Sequence, residues 1–175
     1  MNRSLLTPIM LIFMLILTGI FATSALAATT VKPYVGFTAP DATVLDLQGN
    51  SVVLSEVIAK NKVTIIHFST TWCPYCNKEV PDLRKLYQQY GSQGLEIVSI
   101  SFNEKTSILQ SWVDKTKPGF PIYQDQNLAA HGKYQVVVIP VSFVVDQSGT
   151  IRNKIGHSVT YSTFESAVLS ILKAN

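Results

Sequence analysis

Two kinds of apolar periodicity alternate along the chain. Val63-Thr64-Ile65-Ile66-His67-Phe68 is rich in β-branched and aromatic residues and almost continuously apolar, the pattern of a strand buried on both faces. From Pro74 to Tyr90 the apolar positions Val80, Leu83, Leu86, Tyr87 and Tyr90 recur at helical spacing and predict an amphipathic helix. Pro81 lies inside it, where its ring removes one backbone hydrogen bond, so a kink is expected. Leu95 to Phe102 reads as the next strand, and Thr106 to Lys115, with Ile108, Leu109, Trp112 and Val113, as the next helix. This alternation predicts parallel strands joined by a right-handed crossover.

The flanks read differently. Thr43 to Leu47 and Val52 to Leu54 surround Gln48-Gly49-Asn50 and predict a β-hairpin, and Ser55 is placed to cap a short helix through Lys60. Phe120 to Tyr123 reads as a short strand and Asn127 to Tyr134 as a short helix ending near Gly132. Val136 to Val145 is strongly β-like but broken by Pro140; Asp146-Gln147-Ser148-Gly149 then turns into a strand from Thr150 to Ile155, giving an antiparallel hairpin. Tyr161 to Lys173 closes the chain as a helix, with Phe164, Val168, Ile171 and Leu172 on one side and Thr160 or Ser162 as its cap. No repeat, low-complexity tract or second domain interrupts the pattern.

The first residues stand outside it. Arg3, the apolar run from Leu5 to Ala22 and the small residues Ala25-Leu26-Ala27 have the order of an export signal cleaved before Ala28. The expected division is a signal peptide over 1–27, a linker over 28–39 and one domain over 40–175. An uncleaved anchor is the alternative, weakened by Pro8, Thr18 and Gly19; the absence of a cysteine after the run excludes a lipid-modified N-terminal cysteine. Either way the domain is expected in the periplasm or another extracytoplasmic space, where disulfides persist. The 175 residues, 47% hydrophobic, suffice for a core without stapling. The net charge of +3 falls to +2 without Arg3, and no basic run points to nucleic acid.

Cys73 and Cys76 are the only cysteines. If Pro74 opens the helix, Cys73 sits at its N-terminal edge and Cys76 one turn later, near enough to close a small disulfide ring. Free backbone N–H groups and the helix dipole favour a thiolate at Cys73, the attacking species of disulfide exchange, and Cys76 is placed to resolve the mixed disulfide. Zinc is the competing reading, but His67, His131 and His157 show no paired ligand spacing. A purely structural disulfide across two residues constrains too short a loop to stabilise much.

Trp72-Cys73-Pro74-Tyr75-Cys76 followed by Asn77-Lys78-Glu79-Val80-Pro81, together with Ala39-Pro40-Asp41, Ile139-Pro140-Val141-Ser142-Phe143 and Val145-Asp146-Gln147-Ser148-Gly149, resembles the extracytoplasmic thioredoxin-like reductases of the TlpA, ResA and DsbE (CcmG) type. The resemblance implies an α/β thioredoxin fold, a central mixed sheet flanked by helices, with an extra N-terminal β-hairpin. It also implies that Cys73 is the exposed nucleophile, Cys76 the buried resolving thiol and Pro140 a cis-proline facing the disulfide. Trp72, Pro74, Tyr75 and Ile139 would form the surface on which a client docks. Glu79 matches the family's acidic residue, placed to raise thiol pKa values and relay a proton to or from Cys76. Pro81 matches its helix-kinking proline. His67 departs from the family, standing where cytoplasmic thioredoxins carry a buried acid; it is either a proton relay to Cys76 or a hydrogen-bonded core histidine. Pro74-Tyr75 is a dipeptide also seen in glutaredoxins, which leaves the direction of the reaction open.

The expected function is therefore an extracytoplasmic thiol–disulfide oxidoreductase reducing disulfides of client proteins, resembling those that prepare apocytochrome cysteines or other exported thiols. A membrane-borne electron donor would supply it; no cofactor, no metal and no nucleic-acid partner are expected, and the chain is read as a monomer. A disulfide oxidase or isomerase is one alternative. A thiol peroxidase is another, with Thr70 and Thr71 present but no arginine suitably marked. A thiolate copper-binding module is the reading from outside enzymology, without a methionine cluster to support it.

Overall fold

The strand that organises the molecule is Val63–Phe68, all six residues of which are buried. The computed structural model describes residues 31–157 and 159–174, so the export signal expected over 1–27 lies outside the described residues. Within them the order is β1 (Thr43–Leu45), β2 (Ser51–Val53), α1 (Leu54–Lys60), β3 (Val63–Phe68), α2 (Pro74–Tyr90), β4 (Leu95–Phe102), α3 (Thr106–Thr116), β5 (Ile122–Asp125), α4 (Ala129–Lys133), β6 (Val141–Asp146), β7 (Ile151–Ile155) and α5 (Tyr161–Leu172). The strands form one mixed sheet in the order β2-β1-β5-β4-β3-β6-β7. β3 runs parallel to β4 and antiparallel to β6, and the N-terminal hairpin joins the sheet by pairing β1 with β5.

Alternation along β3 splits the core in two. Ile65 faces a layer made by Val80, Leu83 and Leu86 of α2 and Phe164, Val168 and Ile171 of α5. Ile66 and Phe68 face the opposite layer, with Leu54 and Ile58 of α1 and Ala130 of α4. There the Phe68 ring meets His131, Tyr134 and Phe143 at centroid distances of 4.8, 5.2 and 6.0 Å.

Several expectations need correction. Ser55 does not cap α1: the N-cap is Val53, and Asp41 receives the Ser55 N–H and hydroxyl instead (3.0 and 2.9 Å). β1 stops at Leu45 because the Asp46 carboxylate takes the N–H groups of Gln48 and Asn50, starting the turn early. Thr160 occupies the N-cap of α5 but its hydroxyl bonds Ser162 and not the helix backbone. The strand expected from Val136 begins only at Val141; Val137 is 91% exposed and outside the sheet. α2 continues through Pro81 as one element. The stretch before the hairpin is held to β7 by backbone bonds from Gly36 to Ile151 and back from Ile151 to Phe37.

Candidate active site

Parallel pairing of β3 with β4 puts their C-terminal ends at one edge of the sheet, and the Ser69 N–H extends the ladder to the Ile100 carbonyl at 3.0 Å. Antiparallel pairing of β6 sets Val141 opposite Phe68, so the start of β6 opens at the same edge. The residue before Val141 is Pro140, joined to Ile139 by a cis peptide bond. The cysteine loop and the proline therefore leave the sheet side by side.

Cys73 is the N-cap of α2, with Pro74 in the first turn where its missing N–H costs nothing. The two cysteines are joined as a disulfide with Cα atoms 5.3 Å apart, and the Cys76 N–H donates to Cys73 Sγ at 3.2 Å. An N–H aimed at that sulfur stabilises a thiolate there once the bond is reduced. The expectation of an exposed Cys73 is corrected: in the disulfide it is 4% exposed and Cys76 2%. Its sulfur is turned to Cys76 and the helix backbone, while its neighbours Trp72 (65% exposed) and Tyr75 (54%) take the solvent side.

Behind the disulfide lies a cavity of about 10 Å³, lined among others by Cys76, His67, Ser69, Thr70, Ser99 and Ser101, with room for one water. His67 is buried, and its Nδ1 pairs with Ser142 Oγ at 2.9 Å. Burial lowers its pKa to about 4, so the ring is neutral at neutral pH. Glu79, one turn beyond Cys76 on α2, is 4% exposed, and neither carboxylate oxygen has a hydrogen-bond partner. Burial, with Asp82 adding to it, raises its pKa to about 7. Glu79 therefore titrates near neutral pH and His67 well below it. Among the described residues no group of three or more His, Cys, Asp or Glu is placed to hold a metal ion.

Residues 35–154 match the AhpC/TSA family. The chain belongs to that family. Over 154 residues, covering 88% of each chain, it is 30% identical to the thiol-disulfide oxidoreductase ResA of Bacillus cereus. Among solved structures it is similar to a thiol:disulfide interchange protein from Bacteroides sp., with a TM-score of 0.71 and 25% identity over 80% of this chain and 91% of that one. A thioredoxin-family interchange protein from Chlorobium tepidum gives a TM-score of 0.67 and 25% identity over 77% and 95%. The chain is a thiol-disulfide oxidoreductase of the ResA and DsbE type, on a thioredoxin-like fold, with Cys73 and Cys76 as its pair.

Within this AhpC/TSA-family site, sequence reasoning missed the groups that hold the cysteine turn. Asn77 Nδ2 donates to the carbonyls of Thr71 (2.8 Å) and Cys73 (2.9 Å), and Asn77 Oδ1 accepts from Trp112 Nε1 at 2.8 Å. Glu104 holds Thr71 from the other side. The only local signal was Asn77 directly after Cys76; Trp112 read as an apolar helix position. Arg84 bonds the Thr116 carbonyl and Arg152 pairs with Asp146, so both described arginines are engaged away from the disulfide.

Proposed function

We propose that the chain reduces disulfides of client proteins outside the cytoplasm, with Cys73 as attacking and Cys76 as resolving sulfur. The observation that carries this is Cys73 as N-cap of α2 with the Cys76 N–H on its sulfur. The Cys73 thiolate attacks one sulfur of a client disulfide; that S–S bond breaks and the departing client thiolate takes a proton from water. Cys76 gives its proton to the Glu79 carboxylate and attacks Cys73 Sγ, releasing the second client thiolate. The client has gained two electrons, the pair is again a disulfide, and a membrane-borne donor restores the dithiol. The extracytoplasmic setting is supported by the apolar run after Arg3. Among the described residues no helix is long and apolar enough to cross a membrane.

The docking surface is supported by what flanks the disulfide. Trp72, Val137 and Ile139 line one groove, and Pro74 and Tyr75 are exposed on the helix start. The direction is supported by Glu79, buried one turn beyond Cys76 on α2: while ionised, its charge offsets the stabilisation that the Cys76 N–H gives a thiolate at Cys73, and a pair whose thiolates gain little net stabilisation is the stronger reductant.

Oxidation of the reduced chain by an excess of a disulfide-bearing peptide, followed by stopped flow against pH, tests this reading. An inflection near pH 7, from Glu79, is expected in the wild type and lost in Glu79→Gln. No reaction at any pH would remove the reductase reading, and an unchanged inflection in the variant would return Glu79 to a structural role. Stability carries the same signature. A carboxyl whose pKa rises on folding, here from 4.5 to about 7, binds its proton more tightly in the native state. The native state therefore loses stability as pH climbs through that window, and Glu79→Gln should flatten the loss in urea titrations.

A further inference from the structure

We propose that Glu104 is a positioning residue for thiol attack, acting through Thr71 to hold the turn that presents Cys73. Glu104 is buried, two residues beyond the end of β4, and follows Asn103, whose φ of 55° turns the chain back on itself. Its own carbonyl is fixed by the side-chain amide of Gln124 in β5. Its carboxylate meets three donors: the Thr71 N–H at 2.9 Å, the Thr71 hydroxyl and the Ser101 hydroxyl. Among the described residues no cationic side chain lies within salt-bridge distance of it. A buried carboxylate without a cation is costly to keep unless hydrogen bonds compensate it, and two of the three come from one residue of the cysteine loop.

That residue is gripped from both sides. Glu104 takes the N–H and hydroxyl of Thr71, while Asn77 takes its carbonyl and that of Cys73. The Thr71 peptides cannot rotate without breaking one set or the other. Cys73 follows two residues later, and its sulfur must stay aligned with the Cys76 N–H and with the open side of the sheet edge. Glu104 touches no reacting atom; it fixes the backbone on which they stand. This inference rests on Cys73 being the attacking sulfur.

The test is the rate at which the reduced chain attacks neutral 4,4'-dithiodipyridine, measured against pH, with limited alkylation and peptide mapping to identify the faster sulfur. Glu104→Ala is expected to slow the limiting rate by about tenfold or more and to move the thiol inflection to higher pH. Glu104→Gln, whose amide oxygen still accepts the Thr71 N–H, should stay within about threefold of wild type. A role through charge alone predicts the opposite direction: both variants would move the inflection to lower pH with the limiting rate intact, which would overturn the proposal. So would a Glu104→Ala profile identical to wild type. If Glu104→Ala does not fold, Thr71→Val, which removes only the hydroxyl bond, carries the test: a rate about threefold slower supports the clamp and an unchanged rate refutes it. Label found on Cys76 would overturn the attacking role of Cys73, whereas the rate ratios report on the clamp separately.

Discussion

Cys73→Ser is expected to abolish insulin reduction, and Cys76→Ser to accumulate mixed disulfides with clients. The two sulfurs are chemically alike but differently placed. Cys73 caps α2 and receives the Cys76 N–H, so its thiolate is the one the backbone stabilises. Cys76 lies inside the first turn against the cavity shared with His67, with its own N–H spent on the Cys73 sulfur. Without Cys73 no thiolate can open a client disulfide; without Cys76 the first adduct has no internal route to resolution. Non-reducing gels of Cys76→Ser with an excess of disulfide client check this. Adducts carried by the Cys73→Ser chain instead would reverse the two roles.

The largest loss of stability is expected from Phe68→Ala. The ring sits at the end of β3, fully buried, touching His131, Tyr134 and Phe143, and β6 and the segment around α4 both close over it. Truncation removes the transfer free energy of the ring and leaves a void that neighbours tied into β6 and α4 cannot fill, a cost of about 3–5 kcal/mol. Phe68 also stands opposite Val141, so a collapse there disturbs the edge from which both the cysteine loop and Pro140 emerge. Urea denaturation measures the difference; a change below about 1 kcal/mol would mean the cluster relaxes around the gap.

What could be read from the sequence was what local periodicity encodes. β3, α2, β4 and α3 announce themselves by continuous or helical apolar spacing, and the cysteines by falling where one pattern hands over to the other. Pro140 and Glu79 were legible only through their likeness to a family, because nothing local marks a cis bond or a buried carboxylate. Val136–Ile139 misled because an apolar run has the same composition whether it fills a core or lies on the surface; only the sheet register, starting at Val141, separates the two. The remaining gaps are long-range. The partner of Ser55 lies fourteen residues upstream at Asp41, and Glu104 reaches Thr71 across thirty-three. The first pair forms only once the antiparallel hairpin folds back on itself, and the second only once parallel β3 and β4 bring their following loops together.

Direction is the claim on which the rest of the functional account depends, and equilibration of the pair against glutathione or dithiothreitol buffers reads it directly. Glu79, buried one turn beyond Cys76, predicts a reducing pair, near or below the ~−270 mV of thioredoxin. A value near the ~−120 mV of strongly oxidising pairs would contradict it and make the chain a donor of disulfides.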